Sequence, residues 1–315
     1  MLLIMNVFFK SQFNCFGLCL VSLLLWTSIS FANSEADFFK ATLTGDGATV
    51  EKLLAEGLDI NLKNPDGFTA LAVASQKGHD AIVKLLLDKN AEVDAANIQG
   101  GTALLLAVKN GHAAIVDTLL AKGADPNLQA KNGLTPLIIA AAKDYADIVK
   151  SLVAKGADPD LSDTSQTTAL HIAAQNGHVD IVNTLLTNGA KPDLQDVNGA
   201  SALILAALVG AQEVVQLLLE KGAKADLKAT NDFTALILAA QNGQTAVVEI
   251  LLARGASINQ QNQDGITALM WAALHDHIDT VKLLIEKGAD TKLKSKSDKT
   301  ALDMAKDQTI IELLK

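Results

Sequence analysis

Cysteine, aromatic residues and charge are all scarce in this chain of 315 residues. Cys15 and Cys19 both lie near the N-terminus, so the chain from Asn33 to Lys315 has no thiol for a disulfide or a cysteine-based zinc site. Aromatic residues make up 4%, which leaves aliphatic side chains to build any core. Lys+Arg number 26 against 35 Asp+Glu, a net charge of -9. That balance rules out the long basic groove on which phosphate-backbone binding depends, and no nucleic-acid partner is expected. With 49% hydrophobic residues and only 19% charged, the chain is not disordered by composition and can bury a large core.

The segment 1–32 reads as a removable leader. Lys10 precedes an apolar run from Cys15 to Trp26, and Ser30-Phe31-Ala32 ends the segment with small residues on either side of Phe31. A charged start, a short apolar stretch and a small-residue exit define a secretory signal peptide, with cleavage expected after Ala32. Translation starting at Met5 would place Lys10 nearer the start. The alternative is an uncleaved anchor, because 13–32 is about long enough to span a bilayer; only then is membrane attachment expected. The mature chain would begin at Asn33 and contain no cysteine. No Asn-x-Ser/Thr glycosylation site occurs, which favours the bacterial periplasm, or secretion, as its destination.

From there on the chain repeats. Thr69, Thr102, Thr135, Thr168, Ser201, Thr234, Thr267 and Thr300 follow one another with a constant period of 33, each before Ala-Leu or Pro-Leu. Alanine recurs in phase with them, from Ala74 to Ala305, with Ala41 one period upstream. A small residue in so regular a place implies that backbones approach closely there. Glycines fall before the threonines and at two helix-ending positions, where Asn90, Asp144 or Asp276 can substitute because Asn and Asp tolerate the left-handed conformation. Each unit therefore predicts a turn, a short helix capped by the threonine, a stop, and a second helix offering an in-phase leucine such as Leu86 or Leu119. One such unit cannot bury its own apolar face, so the units must stack into a solenoid.

The run Leu170-His171-Ile172-Ala173-Ala174-Gln175-Asn176-Gly177-His178, followed by Ile181-Val182, Leu185-Leu186 and Gly189-Ala190, resembles the ankyrin-repeat pattern. The resemblance implies a mainly α solenoid of stacked helix-turn-helix units joined by short β-hairpin-like turns. It also implies an N-terminal cap at 33–63, seven full units over 64–294, and a shortened C-terminal cap at 295–315. The family's Thr-Pro-Leu-His survives only in part, with Pro136 and His171, while most units carry alanine and an aliphatic residue in those places.

Chemistry has little to work with. His79, His112 and His178 share one slot with Tyr145 and are expected to bond between units, and His171 fills the family's structural histidine slot. His275 and His277 stand apart as an i,i+2 pair that could hold a metal with Asp276 or Asp279, giving a metal- or ligand-dependent enzyme or sensor as the alternative function. No phosphate-binding loop, His-Glu-x-x-His or Gly-x-Ser-x-Gly element occurs, and no cofactor is expected. Trp271 occupies an aliphatic slot and is expected in the core. The cluster from Lys287 to Lys299 reads as a solvated end.

In proteins of this pattern the hairpin tips and the ends of the first helices line a concave surface that docks a protein or peptide. Here that lining includes Phe68, Ile98, Leu134, Val197, Phe233 and Ile266 at the tips and Leu208 and Leu274 at the helix ends, with little charge. Gathered on one face, they predict a protein-binding patch anchored by Phe68 and Phe233. The expected function is a non-enzymatic adaptor or chaperone-like binder, acting as a monomer.

Overall fold

The Thr-Ala-Leu tripeptide starts a helix at every slot, for a local reason. The threonine holds an extended backbone, so its side chain folds over the first turn and caps an N–H that has no partner within the helix. Thr69 Oγ1 accepts the N–H of Ala72 at 3.2 Å, Thr135 that of Ile138 at 3.1 Å, and Thr267 that of Met270 at 3.2 Å. These caps are themselves buried, with Thr69, Thr135 and Thr267 at 2–3% exposure. Pro136 takes the first helical position, where its missing N–H costs nothing.

The computed structural model describes residues 34–315; the expected leader, with Cys15, Cys19 and Trp26, lies outside the described residues. The described residues form antiparallel helix pairs. They run α1 (34–44) with α2 (Gly47–Ala55), α3 (Ala70–Lys77) with α4 (Asp80–Asp88), α5 (Ala103–Lys109) with α6 (Ala113–Ala121), and α7 (Pro136–Ala142) with α8 (Ala146–Ala154). Then come α9 (Ala169–Asn176) with α10 (Val179–Thr187), α11 (Ala202–Val209) with α12 (Gln212–Glu220), and α13 (Ala235–Gln241) with α14 (Thr245–Ala253). The series ends with α15 (Ala268–Leu274) and α16 (Ile278–Glu286), and a short pair, α17 (Ala301–Met304) with α18 (Gln308–Leu313). From α3 on, each first helix packs on the first helices of its neighbours, and the second helices stack likewise from α2. The architecture is the solenoid expected. No helix among the described residues is long and apolar enough to cross a membrane.

The in-phase alanines sit where the first helices touch. Ala74, Ala107, Ala140, Ala173, Ala206, Ala239 and Ala272 are all at 0% exposure, and Leu86, Leu119, Leu152, Leu185, Leu218, Leu251 and Leu284 are equally buried on the second helices. Ala305 is the exception, half-buried beyond the end of α17, where the stack stops.

No strands form among the described residues. The tips are reduced to isolated bridges such as Lys63 with Thr69, and the chain joins them differently. A backbone N–H near each tip donates to the preceding tip: Lys131 to Gln99 O at 2.9 Å, Val197 to Ser165 O at 3.0 Å, and Lys296 to Asp264 O at 2.9 Å. A second ladder was not anticipated from the sequence. Asn61, Asp94, Asn127, Asp160, Asp193, Asp226 and Asn259 each accept, on a side-chain oxygen, a backbone N–H from the next unit, 31 places on, at about 2.7–3.1 Å. These Asx residues keep the same period as the threonines, so the signal was present in the sequence, but a polar loop residue carries no apolar pattern to draw notice.

His171 shows what a buried polar group needs in this stack. Its Nε2 meets the carbonyls of Leu194 at 3.0 Å and Ala200 at 3.1 Å, which can only accept, so Nε2 carries the proton; Nδ1 accepts the N–H of Thr168 at 3.2 Å. Burial pushes the imidazole below its ordinary value of 6.5, against the opposing pull of those carbonyls and of Asp196 and Asp163. The unfolded chain then binds a proton that the folded chain refuses. Stability contributed here is complete above pH 6.5 and is lost as the pH falls from 6.5 to the lowered value. His171→Leu, which places there the residue of the equivalent Leu105, is expected to flatten that part of the stability–pH curve, measured by urea unfolding; an unchanged slope would assign the acid sensitivity elsewhere.

Two glycines separate strain from crowding. Gly156 has φ +85° and open space where a Cβ would stand, whereas Gly133, at φ +79°, would press a Cβ to 2.7 Å from the Cα of Asp163 in the next tip. Gly156→Ala is expected to cost about 1–2 kcal/mol from the left-handed backbone alone. Gly133→Ala should cost clearly more, because backbone from a second unit must move. Equal losses in denaturant titrations would contradict this account.

Candidate functional site

The tip residue just before each threonine recurs once per unit at the junction of tip and first helix. In unit order the slot holds Phe68, Gly101, Leu134, Thr167, Ala200, Phe233 and Ile266. Gly101 contributes no side chain, and there the groove opens. The resulting cavity has a volume of about 810 Å³, lined by Phe68 and Leu134 at its sides and by Leu105, Leu106, Ile138, Ile139 and Ile172 from the first helices. Its rim carries Lys109, Lys131 and Lys143, with Asn97 and Gln99 between them. Asp163 also reaches the lining, but its Oδ1 is engaged by the N–H groups of Ser165 at 2.8 Å and Thr167 at 2.9 Å.

The structure brings together only some of the residues expected from sequence. Phe68 and Leu134 share the groove at Gly101. Ile98 and Val197 stand on tips, 55% and 58% exposed, while Leu208, at the end of α11, is 37% exposed beside Val209 at 46%. Leu43 at 49% occupies the same periodic slot as Leu208, five units earlier, and was overlooked. Phe233, Ile266 and Leu274 are half-buried farther along the stack, and Phe233 belongs to a separate aromatic cluster.

That cluster corrects the expectation for Trp271. The indole is half-buried rather than in the core, because its slot is itself only partly covered in the later units: Ile139, Ile172, Leu205 and Leu238 are half-buried there too. It contacts Phe233 at 6.0 Å between ring centroids and stacks on His275 at 5.5 Å and 16°. Its Nε1 is shielded from solvent without a hydrogen-bond partner.

His277 was also misread as irregular. It lies three periods after His178, in the same slot as His79 and His112, and does what they do. His79 bonds Leu43 O at 3.1 Å, His112 bonds Gln76 O at 3.2 Å, and His277 Nε2 donates to Gln241 O at 2.9 Å. His178 differs because the glycine that the ring would cover is replaced by Asp144, whose carboxylate it meets at 3.3 Å. Around His275 and His277 the carboxylates have other partners: Asp276 accepts the N–H of Asp307 at 3.2 Å and Asp279 pairs with Lys282 at 3.8 Å. Among the described residues no three His, Cys, Asp or Glu side chains are grouped to hold a metal ion.

The sequence of these units is matched by the family model for ankyrin repeats, over residues 38–130, 123–196, 188–262 and 254–315. The chain belongs to the ankyrin-repeat family. The ankyrin repeat domain of Bcl-3, described as a unique member of the IkappaB protein family, is similar in structure, with a TM-score of 0.63 and 31% identity over 69% of this chain and 99% of that one. Comparison with the curated proteins finds no match. The ankyrin units of this chain present a groove between their tips and first helices.

Because Ile98 and Val197 are more than half exposed, Ile98→Ser and Val197→Ser are expected to change stability by no more than about 0.5 kcal/mol. Phe233→Ala should cost about 1–3 kcal/mol by removing a ring packed on Trp271. Denaturant unfolding checks both; a large loss at Ile98 would mean that its side chain is structural.

Proposed function

We propose that the protein is a non-enzymatic binding module, exported to the periplasm or secreted, that holds a protein partner in the groove between its tips and first helices. Ankyrin repeats are protein–protein interaction modules, which supports the general role. The observation that carries the reading for this chain is the apolar opening at Gly101, walled by Phe68 and Leu134 and set on stacked helices. A surface already in its binding shape loses little conformational freedom on association, so modest contact area suffices. Export is supported by the apolar run from Cys15 to Trp26 and the small-residue exit at Ala32. The remaining tip and helix-end residues, Ile98, Val197, Leu208, Phe233, Ile266 and Leu274, extend the contact surface along the same face.

The test places a photo-crosslinker in intact cells at Gln99, in the groove lining, or at Lys84, on the exposed side of α4. A discrete crosslinked protein from Gln99 and none from Lys84 is the expected result. The reverse pattern would assign binding to the opposite face. N-terminal sequencing of the same material should begin at Asn33; a chain retaining the leader in the membrane fraction would replace export by anchoring.

A further inference from the structure

Charge is not spread evenly along the groove. Three periodic positions flank it: two where the first helix ends and one on the tip. Lysine fills them at Lys77, Lys109, Lys131 and Lys143, all exposed, and the last three line the Gly101 opening. From Thr164 to His275 the same positions hold Gln175, Asn176, Leu208, Val209, Gln241 and Asn242 among others, with no lysine or arginine. A cation at a helix C-terminus complements the helix dipole, which suits Lys77, Lys109 and Lys143. The later units show that such helix ends do not require it, and Lys131 is on a tip.

None of the four ammonium groups has an ion-pair or hydrogen-bond partner among the described residues, although the chain carries an excess of acid and pairs Lys122 with Asp88 at 2.9 Å and Arg254 with Glu220 at 2.9 Å elsewhere. Of the carboxylates near the opening, Asp66 lies on the neighbouring tip and Asp163, hydrogen-bonded within its own turn, keeps its charge in the lining, so three ammonium groups there face one carboxylate. A local excess of unpaired cations around an apolar depression, on a protein of net charge -9, is complementary to one kind of ligand.

Resting on the binding role proposed above, we propose that the groove takes an extended acidic peptide segment, with one large apolar side chain filling the space over Gly101 and flanking carboxylates meeting Lys109, Lys131 and Lys143. First helices stacked roughly 8–10 Å apart put about 20 Å between α3 and α7, the reach of about six extended residues. The repeat itself supplies the blocking variant. Ile266 stands in the Gly101 slot above Asn262, whose Oδ1 accepts the Ile266 N–H at 2.9 Å, as Asn97 Oδ1 accepts that of Gly101 at 2.7 Å. Gly101→Ile therefore has an internal precedent: its Cβ would lie 3.2 Å from the Asn97 amide, which must shift slightly, and the rest of the side chain is expected to fill the opening.

The experiment measures fluorescence anisotropy of the whole mature chain with labelled peptides of the pattern Glu-Glu-Leu-Glu-Glu, its Gln and Lys analogues, a Glu-Glu-Ser-Glu-Glu control, and a short oligothymidine. The acidic leucine peptide is expected to bind about tenfold more tightly than the Gln and Ser forms, and to weaken when salt rises from about 0.05 to 0.3 M. Gly101→Ile and Lys109→Glu/Lys143→Glu should each remove that preference while thermal unfolding stays near that of the parent. Equal binding of the Glu and Lys peptides, no binding of the acidic peptide, or binding of oligothymidine irrespective of Gly101→Ile overturns the proposal. If the Lys or Gln peptide binds and Gly101→Ile abolishes it, the groove reading survives and the acidic preference alone is rejected.

Discussion

The contact on which the rest depends is that between consecutive first helices at the alanine slot. From Ala74 to Ala272 these methyl groups are wholly buried, and they set how closely one unit lies on the next. That spacing lets the tips exchange backbone hydrogen bonds and lets each Asx carboxylate or amide reach a backbone N–H in the following unit. A larger side chain in the slot would overpack the contact and break both ladders together. Stability is then a sum over neighbours, and each unit owes its fold to the two beside it.

The groove is a by-product of that regularity and takes its character from departures. Phe68 and Leu134 stand before the threonines of the units on either side of the opening, and Gly101 between them carries no side chain. Lys109 and Lys143 stand where helix ends accept cations, so the surface could acquire charge there without strain on the stack. The aromatic cluster of Phe233, Trp271 and His275 is a second departure, at the other end of the same face.

Much of this was legible in residue spacing. The threonine caps, the alanine contact, the buried leucines and the left-handed Asn90, Asp144 and Asp276 were all readable, since each follows from local backbone chemistry or from an apolar period. The Asx ladder and the kinship of His277 with His79 and His112 were equally periodic, but their partners lie in another unit, so the residues alone did not say what they bond. Trp271 was misplaced because an aliphatic residue in a slot does not say that the slot is closed: Ile139 and Ile172, which line the opening, are half-buried in the same slot.

By itself, the sequence determined the unit, its caps and the necessity of stacking, because those follow from short-range hydrogen bonding and from apolar faces that one unit cannot cover. Only the tertiary structure decided which of the exposed apolar residues share a cavity. Phe68 and Leu134 stand two full periods apart in the chain and meet across Gly101 solely through the geometry of the stack, whereas Val197 and Leu208, alike in sequence character, remain on open surface. A groove is an absence of atoms between units, and no pattern within one unit records it.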